Sequence, residues 1–203
     1  MSDLPTPGDV LAYWIGDTNE TAEHLANKHK LWFGKSEEAD ADIRAKFLDL
    51  LEHMSAVPFA DDWAESGPRE RLAAIIVLDQ FSRNLYRDDA RAFAQDPLAL
   101  RLCKDGIALG EDTSLSETER VFFYLPLEHS EKPEDQEFSI RKFTELAENA
   151  RPEFRDFAVN TLDYAHAHKK VIDAFGRFPH RNRMLGREST PEEYEWLAEG
   201  GGF

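Results

Sequence analysis

The sequence contains one cysteine, Cys103, so no disulfide framework can hold the chain together, as suits a reducing compartment. Long apolar runs are missing too, and nothing approaches the roughly 20 residues of a membrane span. The opening residues MSDLPTPGDV show neither the basic region nor the apolar stretch of a secretory leader. Positive charge is scarce: 24 Lys and Arg face 40 Asp and Glu, and a formal net charge of −16 repels a phosphate backbone. No segment alternates apolar and polar residues over a useful length, so no strand is expected. There is also no Walker loop, GxGxxG, HExxH or nucleophile-elbow pattern, and no strict repeat of roughly 20–50 residues. These absences point to a soluble, cytoplasmic, all-α protein that binds no nucleic acid, enters no membrane and uses no cofactor.

The 203 residues are 41% hydrophobic and include 14 Phe, which suits a single domain with a substantial core. Helix starts are well marked along the chain. Thr6-Pro7 with Asp9 forms an N-cap, a first-turn proline and a back-bonding carboxylate. Ser36 with Glu37 and Glu38 opens a helix whose inward face is Ile43, Phe47, Leu50, Leu51 and Met54. Asp96-Pro97, the capping box Ser116 to Glu119, Pro133, Pro152 and Thr190-Pro191 mark further starts. The stretch 57–67 reads as a connection, and Phe93 as a core plug.

The helix from Pro68 to Arg87, PRERLAAIIVLDQFSRNLYR, organises the rest. It is apolar from Leu72 to Leu78 and then turns ionisable. Ideal helical steps put Leu72, Ile75, Asp79, Ser82, Arg83 and Tyr86 on one face. Asp79 and Arg83, four residues apart, are placed to pair, because an unpaired buried charge is costly. They are either a structural ion pair or the floor of a polar pocket.

Two later segments carry further chemistry. In VFFYLPLEHSE, Pro126 is expected to break or kink its helix just before Glu128, His129, Ser130 and Glu131. On the last long helix His168 shares a face with Phe154, Phe157, Thr161, Tyr164, Ala165, Ile172 and Phe175, whereas His166 points to solvent. From His166 to Arg187 the charge reverses locally: Lys169, Lys170, Arg177, Arg181, Arg183 and Arg187 oppose only Asp173. Arginine forks fit carboxylate or phosphate. They serve either a small anion or acidic peptide end, or the chain's own carboxylates. With His168 and His180, the Glu128 group also resembles a His/Glu metal site, but the compact ligand spacing is absent and no metal is assigned.

The segments LDQFSRNLYR (78–87), FYLPLEHSE (123–131), HKKVIDAFGRFPHRNRMLGREST (168–190) and WFG (32–34) together resemble the bacterial family catalogued as domain of unknown function 924. The resemblance implies an all-α, tetratricopeptide-like array of antiparallel helix pairs and leaves function open. Its shared polar positions fall on Asp79, Gln80, Arg83, Asn84, Glu128, His129, His168, Arg177, His180, Arg181 and Asn182.

Three functions remain. In the first, these residues converge on one pocket for a small anionic ligand. In the second, they are a buried network inside an interaction scaffold. In the third, they serve a metal-dependent hydrolase. Were there catalysis, His129 or His168 would act as base and Glu128 as its partner. Arg83, Arg177 and Arg181 would stabilise charge. Oligomeric state is left open.

Overall fold

The computed structural model describes residues 4–203, and every regular element among them is helical. The first helix, α1 (Pro7–Trp14), starts as its cap dictates. Thr6 Oγ1 accepts from the Asp9 N–H at 3.2 Å, and the Asp9 carboxylate accepts from the Thr6 N–H at 2.8 Å. α2 (Leu25–Phe33) follows, then α3 (Glu37–Met54), capped by Ser36 and burying all five apolar residues expected on its inner face.

The stretch expected to be a connection is instead α4 (Val57–Ser66). Pro58 lies in its first turn, where a missing N–H costs nothing and the fixed φ suits a helix. The proline that suggested a loop therefore sits in the first turn of a helix.

The central helix opens at Pro68 as α5 (Pro68–Ile75) and closes as α6 (Ser82–Leu85), with a π-helical segment, Ile76–Phe81, between them. Arg71 to Ser82 is buried without a break, so the segment is enclosed on all sides. The i→i+5 turns shift the helical register. A single ideal face from Leu72 to Tyr86 is thus not maintained. Leu72, Ile75, Asp79 and Ser82 are fully enclosed, while Arg83 and Tyr86 are only partly covered.

α7 (Asp96–Ala108), α8 (Glu117–Glu128), α9 (Pro133–Asn149) and α10 (Arg155–Phe175) complete the body, and α11 (Pro191–Ala198) follows a loop. Neighbours in sequence pack in space: α4 on α5, α7 on α8, α8 on α9 and α9 on α10. Short connections between packed neighbours make these pairs antiparallel. Around α5 lie α1, α4, α7 and α8. Aromatic edges fill the centre, with Trp14 against Phe81 at 5.4 Å and against Phe122 at 5.7 Å between ring centres.

Pro126 does not break α8, which runs on to Glu128. It lies so near the helix end that only one bond is forgone, and the His129 N–H still reaches the Leu125 carbonyl at 2.9 Å. On α10, His168 is buried and His166 exposed, as their phases require. Tyr164, expected on the inner face, is 55% exposed. It lies near the edge of the buried stripe and turns to solvent. Among the described residues no helix is long and apolar enough to cross a membrane.

Candidate functional site

The π-helical turn delivers Asp79 to the interior with no solvent exposure. Its Oδ2 accepts from Gln80 Nε2 at 2.5 Å, and its Oδ1 lies 3.2 Å from Arg83 Nη1. Arg83 also donates to the Asp79 carbonyl at 2.6 Å and grips Asp96 at the start of α7 with both amino groups, at 2.9 and 3.0 Å. Burial alone would raise the Asp79 carboxyl. The Arg83 charge, helped by His129, instead holds it well below the usual carboxylate range.

His129 caps α8 and points Nδ1 at Asp79 Oδ1, 2.7 Å away. Burial pushes this imidazole down, and Arg83 beside it does the same, outweighing the attraction of Asp79. His129 is therefore neutral, and Nδ1 carries the hydrogen that it donates to Asp79. Arg83 serves as the counter-ion. Nε2 is left with a lone pair and no hydrogen bond among the described residues, and the ring lines the cleft.

A second histidine–carboxylate pair stands beside the first. His168 Nδ1 lies 2.9 Å from the Tyr164 carbonyl and 3.0 Å from Glu128 Oε1. Both neighbours accept, so Nδ1 is the donor and Nε2 is again the free nitrogen. The two rings are 6.2 Å apart. Of the two histidines the sequence offered as its partner, Glu128 thus meets His168 and not His129. It lies last in α8 with its side chain turned to α10, which leaves Asp79 to take His129.

The loop after α10 divides into two functions. Arg177 turns away from the cleft and clamps Glu193 of α11 at 2.6 and 2.8 Å, pulling that carboxyl down to about 2. Asn182 joins the same knot, donating to Glu193 at 3.1 Å and to Ser189 at 3.0 Å. Arg187 binds Glu131 at 2.7 and 3.0 Å and fastens the loop to the α8–α9 connection. Asn84 is tied to Asp40 at 2.8 Å. Arg177, Asn182 and Asn84, three residues marked for ligand binding, each bond a carboxylate of the chain itself and do not line the cleft. Gln80 likewise acts through Asp79.

Arg181 and His180 turn inward. The Arg181 guanidinium lies between the Phe93 and Phe178 rings, 4.7 and 4.6 Å from their centres. Phe93 is thus no core plug. It is half-buried and forms a wall, with Arg83 also over its face at 5.6 Å. Arg181 meets Asp96 only at 3.3 Å, and its buried Nε has no partner. Burial and the neighbouring Arg83 lower it to about 10. His180 is lowered to about 3 by burial, then by the Arg181 charge, and its Nδ1 is likewise buried without a partner among the described residues.

Together these side chains line a cleft of about 280 Å³, walled by Arg83, Phe93, His129, His168, His180 and Arg181. Lys35, Arg87, Asp88, Met184 and Phe203 complete the rim. Sequence patterns did not mark Lys35, Arg87, Asp96 or Phe203 as belonging here. Asp96 looked like a helix start, which it also is, and no spacing links it to Arg83. Glu128, His129, His168 and His180 do not form a metal centre: among the described residues no group of three or more His, Cys, Asp or Glu could hold an ion. His129 gives Nδ1 to Asp79, and Glu128 gives Oε1 to His168.

A family model described as bacterial protein of unknown function (DUF924) matches residues 10–201. A protein of unknown function from Agrobacterium tumefaciens has a similar solved structure, 34% identical, with a TM-score of 0.78 over 96% of this chain and 97% of that one. No curated protein matches the chain significantly. With its motifs, its helical fold and a family match over nearly its whole length, the chain belongs to the bacterial DUF924 family.

Proposed function

We propose that the cleft binds a small anion-bearing molecule, with His129 placed as a proton acceptor beside it. The observation that carries this reading is Arg181. It is only 6% exposed, yet among the described residues the one carboxylate in direct contact with it, Asp96, is already held by both amino groups of Arg83, and Glu131 and Asp79 act on it only from farther away. A guanidinium so buried and so incompletely matched is costly on its own. An anion entering the cleft would supply the missing charge and accept from Arg181 as a charge-assisted partner. Burial lowers His129 and His180 most, and the neighbouring arginines, Arg83 for the first and Arg181 for the second, lower them further.

The cleft volume favours a small molecule over a peptide end. Nε2 of His129, free and neutral, suits general base chemistry on such a ligand, with Arg83 and Arg181 stabilising developing charge. A buried, unpaired Cys103 fits a cytoplasmic setting within the same proposal.

The scaffold reading is favoured at one place, the Arg177–Glu193–Asn182 knot, which secures α11. The test is thermal unfolding with and without millimolar inorganic phosphate and small carboxylates. A ligand at 100 times its Kd stabilises by about 2.7 kcal/mol, and Arg181→Gln should remove that response while changing stability little. If Arg181→Gln instead costs about 3–5 kcal/mol and no anion stabilises the wild type, the cleft is a structural network.

A further inference from the structure

The segment after α11 returns to the cleft and places an aromatic ring inside it. Phe203 stacks on His168 with ring centres 3.6 Å apart and planes 13° from parallel. Its edges meet Phe178 at 6.2 Å and His180 at 5.9 Å. The approach is built from glycine. A Cβ on Gly201 would sit 2.3 Å from the Trp196 indole, and Gly202 holds φ at +138°, which side chains rarely adopt. The Gly201 N–H bonds to the Trp196 carbonyl at 2.9 Å and fixes the turn. Beyond that turn Phe203 is held by ring contacts alone, and it stays 53% exposed. It is positioned accurately and held weakly.

The ring lies next to the anion-binding groups. Phe178 touches both, with the Arg181 guanidinium 4.6 Å from its centre and the Phe203 ring 6.2 Å from it, and Arg181 and Phe203 line the same cleft. We propose that the ligand of this cleft carries a flat aromatic ring beside its anionic group, and that Phe203 occupies the place of that ring over His168 until the ligand displaces it. The inference rests on the anion site proposed above and adds the second half of the ligand. A flat ring loses little conformational freedom on binding and recovers the stacking that Phe203 gives up. A saturated or ringless anion recovers none of it.

The experiment measures binding of inorganic phosphate, methyl phosphate and phenyl phosphate by calorimetry to the wild type and to Phe203→Ala. Phe203 is half exposed at the rim, so its truncation leaves the fold intact. In Phe203→Ala, phenyl phosphate should bind about tenfold more tightly than methyl phosphate, the gain expected for one stacked ring. In the wild type that preference should shrink to about threefold or less, because Phe203 competes for the same place. Inorganic and methyl phosphate should bind both proteins alike. Equal affinity for methyl and phenyl phosphate in Phe203→Ala overturns the ring subsite and leaves the anion site standing. No binding of any of the three to either protein overturns both.

Discussion

His129 Nδ1 and Asp79 Oδ1 lie 2.7 Å apart although 50 residues separate them in the chain. The contact joins the π-helical turn of the central helix to the end of α8, and Arg83 decides its chemistry. Because Arg83 neutralises Asp79, the imidazole need not be charged to satisfy the carboxylate. The result is a fixed tautomer with an open Nε2, which a simple His–Asp ion pair would not provide.

Asp79→Asn should therefore disturb more than one hydrogen bond. It preserves shape but leaves Arg83 with Asp96 alone, which Arg181 also approaches. Removing one partner of a buried charge pair costs about 3–5 kcal/mol. Urea unfolding at neutral pH should show a loss of that size. A loss below about 1 kcal/mol would mean that Asp96 suffices for both arginines.

Stability should fall with acidity before most carboxylates titrate. His180 sits at about 3 in the folded chain, against about 6.5 when unfolded, and His129 is shifted in the same direction. Between those values the unfolded chain binds more protons. The stabilisation is therefore complete above about pH 6.5 and is lost as pH falls toward 3. From pH 6.5 to 5, His180 alone should contribute a loss of about 1–2 kcal/mol. Asp79, whose carboxyl is depressed, adds its own loss only below about pH 4. Denaturant titrations at pH 7 and 5 measure the slope, and His180→Gln should flatten it.

The two histidines on α10 offer a comparison within one helix. His168→Ala removes the partner of Glu128, which is 3% exposed and already has an unpartnered Oε2. A loss of about 1–3 kcal/mol is expected. His166, exposed on the opposite face, should tolerate the same change within about 0.5 kcal/mol. Equal losses in urea would contradict the different burial of the two rings.

Where the chain carried local signals, sequence and structure agree. Thr6, Ser36, Ser116 and Thr190 cap helices because each satisfies end N–H groups within three residues of itself. Asp79 and Arg83 were legible as a pair for the same reason. The Asp79 partner of His129 was not, and which histidine Glu128 would take stayed open, since both depend on how separate helices pack. Asp96 shows the limit most clearly: its role as a helix start was visible, and its role between two arginines was not. Composition also misled at Pro58, where a first-turn proline resembles a loop, and the π-helical turn shifts the longer-range phase from Leu72 to Tyr86 while leaving the Asp79–Arg83 pair in reach. In the arginine-rich loop, spacing could not show which guanidiniums the chain would use itself.

That last division can be tested directly. Arg177 and Arg181 are four residues apart in one loop, but the first grips Glu193 with two hydrogen bonds and the second meets Asp96 through one long contact. Arg177→Gln strands the Glu193 carboxylate, which is 2% exposed, and loosens the seat of α11. It should lower the melting temperature clearly, yet leave the rise produced by phosphate unchanged. Arg181→Gln should do the opposite: Asp96 keeps Arg83, so the melting temperature barely moves, while the phosphate response disappears. Four melting curves for each variant and the wild type, at two phosphate concentrations in duplicate, separate the outcomes. If phosphate still stabilises Arg181→Gln, the anion is bound elsewhere. If the Arg177 change abolishes the response, the knot at α11 belongs to the site after all, because Arg177 would then be setting the position of Phe178 and Arg181 rather than only anchoring a helix.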